Sequence, residues 1–410
     1  MEEIKDKQMN IRRENHAIGI VILFGVLILS NASFAQLKDI DNGNITATGK
    51  DQHVHGANII STGVPILLIS PDAVAGSMGD VGVATTPDEN SMHWNAAKLA
   101  FVEKKYGVSL TYTPWLREIV SDVSMSYLSG FYKINERSAI GASMTYFSLG
   151  GITFYNDNGE NMGDFKPNEF ALDVAYSMKL SDNLSGSATI RYIRSDLTQG
   201  QSSSQTSSTH AANAFGTDIG LYYQKKIEDS RDNAEYALGL QISNLGSKIS
   251  YSDDMEKEFQ PANLRIGGRY SMDFGTFNRI SFMLDLNKLL VPTPPRYSSD
   301  STNTIVAGKD DNVGILQGAI QSFYDAPDGF KEEMEEISVS TGLEWIYNKF
   351  LFLRGGYFYE NKNKGDRQYI TVGGGFKYNV MQLNVAYLIP TSSSNNPLKN
   401  TLRLSLAFDL

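Results

Sequence analysis

Few residues of this chain are of the kinds that catalyse reactions or bind metals. Its 410 residues include five His and no Cys, which excludes thiol catalysis, disulfides, Cys-ligated metals and a lipid-anchored Cys. No Ser or Asp stands beside a His at the spacing of a nucleophilic triad. Gly373–Gly375 lies inside a strand-like run with no helix after it, so it forms no phosphate cradle. The sequence therefore predicts a protein that is not an enzyme, with no catalytic residue and no cofactor.

Two stretches near the N-terminus match metal sites only in part. Asp39–Gly43 starts like a calcium loop, but its Gly comes one place early and Lys50 stands where a bidentate Glu belongs. His53 and His55 could ligate a metal from one face of a strand, yet no third ligand follows them. We therefore expect no metal site here.

The first residues have the pattern of an export signal. Ala17–Leu29 is the only long apolar run, and it is shorter than the roughly 20 residues that a spanning helix needs. Ser33 and Ala35 are small residues at the positions that signal peptidase reads. We predict a signal peptide over residues 1–35 and an exported mature chain, with a retained signal anchor as the alternative.

Alternation of apolar with small or polar residues dominates the rest of the chain. In the last run, Leu402 and Leu404 fall on one face and Arg403 on the other. A period of two marks a strand with two different faces. Fourteen such runs occur, at about 106–113, 122–132, 138–147, 168–180, 185–195, 215–226, 235–245, 262–271, 277–287, 337–346, 350–359, 368–378, 381–388 and 401–410.

The lengths of these runs and of the gaps between them favour a barrel in a membrane. Membrane-barrel strands need about 9–11 residues because they cross tilted, whereas soluble strands have about 5–6. Short gaps such as 181–184 alternate with long ones such as 288–336, which is typical of outer-membrane barrels. We predict an all-β fold, a 14-stranded antiparallel transmembrane β-barrel over residues 106–410 with its long loops extracellular. A secreted β-sandwich is the alternative, because its strands also alternate.

Composition agrees with this class. Lys and Arg number 36 against 46 Asp and Glu, and the net charge of −10 argues against a nucleic-acid partner. A mean hydropathy of −0.26 argues against a bundle of membrane helices. The 21 Tyr, 20 Phe and 3 Trp suit interfacial girdles, and the 36 Gly suit a curved wall.

The residues before the barrel fall into two parts. Residues 36–56 are polar, and we predict a mobile N-terminal segment. Residues 57–105 combine the apolar run Ile66–Ile69 with a stretch of small residues at 73–84. Small side chains allow close packing against a wall, so we predict a plug, or hatch, inside the barrel. Its most distinctive residues are His93, Trp94 and Asn95.

The connection 288–336 is longer than most loops that only join two strands. Apolar residues recur at helical spacing from Ile315 to Phe323, which predicts a short amphipathic helix capped by Asp311 or Asn312 and ended by Pro327. A second short helix includes Phe330 and Met334 beside several glutamates. Apolar helix faces outside a membrane either cover the barrel mouth or bind a partner. The candidate partner-binding residues are Leu316, Ile320, Phe323, Tyr324 and Phe330, with Trp115 and Leu116 in the first external loop. For Trp115, a place in the interfacial girdle is the alternative.

Charged residues also occur within the strand runs. The arginines there are Arg191, Arg194, Arg265, Arg354 and Arg403. We expect those that face the lumen to pair with Asp173, Asp218, Asp285 or Glu344, because an unpaired buried charge is costly. Such pairs would hold the plug and the wall together.

Particular motifs carry a resemblance to a known family. The plug resembles that of the FadL-like outer-membrane superfamily, whose hatch ends in Asn-Pro-Ala where this chain has Asn95-Ala96-Ala97. The mature chain is similar to the PorV family of FadL-like barrels in the type IX secretion system of Bacteroidota. The matching stretches are Ser70–Ala73 with Gly76, Gly79 and Gly82, then His93–Asn95, Tyr112–Arg117, Lys288–Pro295, Ser322–Pro327, Arg367–Tyr369, Tyr387–Pro390 and Asn396–Pro397.

The resemblance implies a function and a set of partners. Members of the PorV family bind the C-terminal signal domain of cargo as it leaves the translocon barrel. They deliver the cargo to a surface attachment complex that contains a sortase. The wider superfamily implies an alternative, which is transport of long-chain hydrophobic solutes across the outer membrane. A surface enzyme of the outer-membrane phospholipase kind is a third reading, and this sequence lacks a catalytic set for it.

Overall fold

The computed structural model describes residues 58–115, 122–155, 161–197, 209–228, 233–252, 256–298, 304–391 and 401–410. Several sequence predictions fall outside these described residues. They are the signal peptide 1–35, the N-terminal segment 36–56 with its two metal-like stretches, and Leu116.

Strands dominate the described chain. Their bounds are β1 (Tyr106–Pro114), β2 (Ser124–Asn135), β3 (Ser138–Ser148), β4 (Ile152–Tyr155), β5 (Asn161–Phe165), β6 (Asn168–Lys179), β7 (Leu184–Asp196), β8 (Ala212–Glu228), β9 (Asn233–Gly246), β10 (Asn263–Phe274), β11 (Asn278–Leu289), β12 (Arg296–Tyr297), β13 (Ile305–Ala307), β14 (Ser338–Tyr347), β15 (Leu351–Tyr359), β16 (Gln368–Tyr378), β17 (Met381–Pro390) and β18 (Leu402–Asp409). Two pairs, β4 with β5 and β12 with β13, form small separate sheets.

The other fourteen strands close into one antiparallel barrel. Neighbours in the wall are neighbours in this set along the chain, and β1 pairs with β18 to complete the ring, with Gly107 opposite Asp409. Each predicted run overlaps one of these strands, so the predicted 14-stranded barrel is confirmed.

The wall exposes its apolar face and buries its polar one. On β1, Val108 and Leu110 are exposed while Ser109 and Thr111 are buried. A soluble sandwich would bury the apolar face against a second sheet, so the β-sandwich alternative is wrong. An apolar outer surface over a polar interior is the arrangement of a barrel whose strands face lipid.

Helices in the described residues are short. Residues 58–105, which we call the inner segment, contain 3₁₀ turns at Pro65–Leu68 and Ala96–Phe101 and the helices α1 (Ala73–Gly76) and α2 (Ser91–Trp94). No described helix has the length and apolarity to cross a membrane.

The connections alternate between the two ends of the barrel. Turns such as 136–137 and 379–380 lie at one end, the short-turn end. Because the strands are antiparallel, the connections 149–167, 247–262 and 290–337 all lie at the opposite, long-loop end. The barrel therefore has short turns at one end and long connections at the other.

The longest of these connections, residues 290–337, is called the long loop below. It holds the β12–β13 hairpin and two helices, α3 (Ile315–Gln321) and α4 (Phe330–Glu335). The predicted capping residues are wrong, because Gly314 occupies the N-cap of α3 and no side chain caps it. Both helices lie where helical periodicity predicts them, but the predicted end at Pro327 is wrong, because α3 already ends at Gln321.

Candidate functional site

Wall side chains hold the inner segment through its backbone. Asp285 on β11 accepts hydrogen bonds from the Gly82 and Val83 amides, at 2.7 and 3.0 Å. Thr371 on β16 accepts from the Gly79 amide at 2.7 Å. Each bond satisfies a buried backbone donor that would otherwise be costly. The inner segment is thus attached to the wall along its length.

The segment and the wall also approach each other closely. A Cβ on Gly356 of β15 would lie 2.1 Å from the Met78 carbonyl carbon. A Cβ on Gly79 would lie 2.6 Å from the Tyr357 backbone, and the Gly79 φ of +66° is in the left-handed region that suits glycine. Only glycine fits at either position.

The residues of the predicted plug motif each have a defined contact. Asn95 donates to the carbonyls of Val83 and Leu221, at 3.1 and 2.9 Å, and so links the inner segment to β8. The Trp94 indole donates to Asp72 at 2.7 Å, and the Arg265 guanidinium lies 4.7 Å from the Trp94 ring centre.

His93 is packed beside Trp94, with ring centroids 4.7 Å apart. Burial, together with the positive charges of Arg265, Arg191 and Lys98, lowers the pKa of His93 well below its usual value. The imidazole is therefore neutral, and its Nε2 has no protein hydrogen-bond partner.

The strand arginines follow the prediction only in part. Arg191 pairs with Asp173 and Asp218, at 2.6 and 3.1 Å, and Arg354 pairs with Glu344 at 2.7 Å. These pairs join neighbouring wall strands, so the expectation that they hold the inner segment is wrong.

Two further arginines make different contacts from those expected. Arg403 donates to the Ser70 carbonyl at 3.1 Å and so reaches the inner segment. Arg265 donates to Asn287 at 2.7 Å rather than to Asp285, whose Oδ2 accepts the two backbone amides. Arg194 lies 3.5 Å from Asp196 at a partly exposed position.

A buried charge cluster fixes the base of the long loop. Lys288 of β11 contacts Glu333 at 3.0 Å and also contacts Glu336. Lys364 contacts Glu332 at 2.7 Å and Glu336 at 3.0 Å. All five side chains are buried. Removing one partner of a buried ion pair is strongly destabilising, because the other charge stays buried without compensation. This cluster was not predicted from the sequence, although Glu332, Glu333 and Glu336 share a helix side away from Phe330 and Met334.

Two carboxyls of the loop have shifted pKa values. Burial, then the nearby charge of Glu333, raises the pKa of Asp325 to about 6. Burial also acts to raise the pKa of Glu332, but hydrogen bonds from Lys364 and from the Asp328 amide outweigh it and lower that pKa.

Both loop helices expose large apolar side chains. On α3, Gly318 and Gln321 are buried while Leu316 and Ile320 are exposed. On α4, Glu332 and Glu333 are buried while Phe330 is 79% exposed. We call Leu316, Ile320, Phe323, Tyr324, Phe330 and Met334 the loop surface. All five partner-binding candidates predicted in the long loop lie on it.

Trp115 is placed differently from its predicted role. Its side chain is buried and packs in a cluster with Val64 and Ile66 of the inner segment. The structure therefore places it neither on an exposed partner surface nor in an outer aromatic girdle.

No group of three or more His, Cys, Asp and Glu in the described residues is arranged to hold a metal ion. The features with defined architecture are the inner segment held inside the wall and the loop surface held at the long-loop end. With an apolar exterior, a closed ring and one end of long connections, the fold defines an outer-membrane β-barrel.

Comparison with known families assigns the chain. A family model described as "Type IX secretion system protein PorV" matches residues 52–296, more than half of the chain. The chain therefore belongs to the PorV family of type IX secretion outer-membrane proteins. No curated protein matches it.

Three solved structures illustrate the fold similarity. The Pseudomonas putida toluene transporter TodX is 12% identical with a TM-score of 0.43, over 82% of this chain and 96% of that one. A Pseudomonas aeruginosa FadL homologue is 12% identical with a TM-score of 0.38, over 86% and 99%. The Ralstonia pickettii toluene transporter TbuX is 13% identical with a TM-score of 0.40, over 82% and 97%. Likenesses at this level say nothing about what this chain binds.

Proposed function

We propose that the chain is a non-enzymatic cargo carrier of the type IX secretion system. The loop surface binds the C-terminal signal domain of cargo as it leaves the translocon barrel. The chain then delivers the cargo to the cell-surface attachment complex that contains the sortase. Membership of the PorV family supports the secretion system as the setting.

The observation that carries the proposal is the orientation of α3 and α4. Burying Phe330 or Ile320 would be favourable by about 1.5–3 kcal/mol for each side chain. Burying Glu332, Glu333 and Glu336 instead requires desolvating several charges. The loop nevertheless buries these three glutamates and leaves large apolar side chains exposed. A partner that covers the loop surface explains this arrangement.

A loop that only covers the barrel mouth would have a different arrangement. Side chains that close the mouth would pack against the wall, whereas Leu316 and Ile320 are 68% and 65% exposed. The charge cluster with Lys288 and Lys364 already attaches the loop to the barrel. The exposed apolar side chains are therefore available for another molecule.

The proposal places the long-loop end outside the cell, on the outer membrane of a member of the Bacteroidota. The partners are the translocon barrel, cargo signal domains and the surface attachment complex, with lipid around the wall. Transport of long-chain hydrophobic solutes is the competing function, and it needs a path through the lumen that is lined by apolar side chains. The wall faces the lumen with Ser109, Thr111, Asp173 and Arg191, which favours protein binding over such transport.

The test is a pull-down of the tagged chain from outer membranes, followed by mass spectrometry of the bound chains. Wild type should retain translocon components and cargo with C-terminal signal domains. The double variant Ile320→Glu/Phe323→Glu should lose the cargo while its heat-modifiable gel mobility stays unchanged.

Val306→Glu is the matched control, because Val306 is similarly exposed in the same loop but belongs to β13 and not to the loop surface. Normal cargo recovery and secretion with the double variant would contradict the assignment of the loop surface. Uptake of labelled fatty acid into vesicles containing the barrel would instead favour the transport function.

A further inference from the structure

A cavity with both polar and apolar lining residues lies between the inner segment, the wall and the base of the long loop. Its volume is about 140 Å³, below the several hundred Å³ of most small-molecule pockets. Ser70, Asp80 and Trp94 of the inner segment line one side. Arg265, Ser340 and Arg403 of the wall line the other. Any occupant must therefore be small.

Four buried polar atoms around this cavity have no protein hydrogen-bond partner. They are Ser70 Oγ, Asp80 Oδ1, Ser340 Oγ and Arg403 Nη1. Ser70, Ser340 and Arg403 are each at most 2% exposed. Buried polar atoms without partners are costly and are rare in folded proteins. Their concentration around one cavity points to a polar occupant.

The charges around the cavity are of two kinds. Lys364 is paired with Glu332 and Glu336, and Arg367 is paired with Glu360 at 2.6 Å. By contrast, neither Arg265 nor Arg403 has a carboxylate within 4.0 Å among the described residues. Arg265 donates to the Asn287 side chain, and Arg403 donates to the Ser70 carbonyl.

A guanidinium without a carboxylate partner can bind an anion, because its planar donors match carboxylate and phosphate oxygens. The cavity also contains an acceptor. Asp80 uses Oδ2 to accept from the Tyr369 hydroxyl and leaves Oδ1 free. An occupant therefore needs an anionic group for the arginines and a hydroxyl donor for Asp80. The Trp94 ring packs against Arg265 and adds apolar carbon atoms to the lining of the cavity.

We propose that this cavity binds a small hydroxycarboxylate, held by Arg403 and Arg265 and hydrogen-bonded by Asp80, Ser70 and Ser340. The site is separate from the loop surface, so the proposal stands independently of cargo binding. The proposed site includes residues of both the inner segment and the wall, because Arg403 and Ser340 belong to strands while Ser70 and Asp80 do not.

The test is a titration of the purified full chain in detergent with malate, followed by tryptophan fluorescence. Trp94 and Trp115 line the cavity, whereas Trp345 hydrogen-bonds Asn278 on the wall. Wild type should show a saturable change that glycerol, and sodium chloride at equal ionic strength, do not produce. Arg403→Gln and Arg265→Gln should each weaken the affinity by roughly tenfold or more, since each removes a charge-assisted hydrogen bond.

Two further variants keep the test decisive. Ser340→Ala removes one hydroxyl without changing charge and should weaken binding by a few fold, even where an arginine variant fails to fold. Arg296→Gln is the matched control, because Arg296 pairs with the exposed Asp328 and lies outside the cavity. The proposal is overturned by no saturable response in wild type, by the same response to sodium chloride, or by unchanged affinity in all three cavity variants.

Discussion

The inner segment and the long loop both bury charged groups, but they use them in opposite ways. In the lumen, Asp285 and Thr371 bind backbone amides, and the segment is held so tightly that Gly356 meets Met78. In the loop, Lys288 and Lys364 bind glutamate side chains and leave apolar side chains exposed. One region uses polar groups to fix a segment in place, and the other uses them to present a surface.

The largest effect should come from breaking the close approach in the lumen. Gly356→Ala places a Cβ 2.1 Å from the Met78 backbone, so the inner segment must move or the wall must distort. We expect a large loss of thermal stability and higher ion conductance of the barrel in planar bilayers. Gly355→Ala is the control, because its Cβ would meet nothing closer than 3.8 Å. Equal behaviour of the two variants would disprove the tight attachment.

The next largest effect should come from the charge cluster. Glu336→Ala removes the shared partner of Lys288, Lys364 and Thr293, and breaking such a buried network costs about 3–5 kcal/mol. The loop should become sensitive to protease while the barrel keeps its heat-modifiable mobility. Lys331→Ala, at an exposed position of α4, should change neither property. Unchanged protease resistance in the Glu336 variant would show that the cluster does not hold the loop.

A smaller, pH-dependent effect should come from Asp325 in the long loop. Because the folded-state pKa of Asp325 is raised to about 6, the folded loop binds more protons than the unfolded loop between about pH 4 and 6. Loop stability should therefore fall as pH rises through this window. Hydrogen exchange of residues 315–335, corrected for intrinsic rates, should show this fall in wild type. Asp325→Asn should remove it, and the same pH dependence in that variant would assign it to another group.

The smallest effect should come from an ion pair at the surface. Arg194 and Asp196 are partly exposed and 3.5 Å apart, so Arg194→Ala should cost less than about 1 kcal/mol. Arg191→Ala should cost several times more, because it leaves Asp173 and Asp218 buried without their partner. Thermal melting of both variants checks the contrast, and similar losses would contradict it.

The sequence predicted the barrel well because each strand shows its two faces locally. Alternation such as that of Leu402 and Arg403 needs no knowledge of distant residues. Helical spacing likewise placed Phe330 and Met334 on one side of α4. It could not show which side faces inward, because that depends on Lys288 and Lys364, which lie 45 and 28 residues from the glutamates they bind. For the same reason, the pairing of Asp285 with backbone amides was not predictable.

Cargo binding by the loop surface can be measured with an isolated cargo C-terminal signal domain and the purified barrel. The dissociation constant should be compared among wild type, Ile320→Glu/Phe330→Glu and the Val306→Glu control. Charged side chains at the centre of an apolar interface should weaken binding by at least about tenfold, and the control should bind like wild type. Equal affinity in all three proteins would show that the loop surface does not bind cargo.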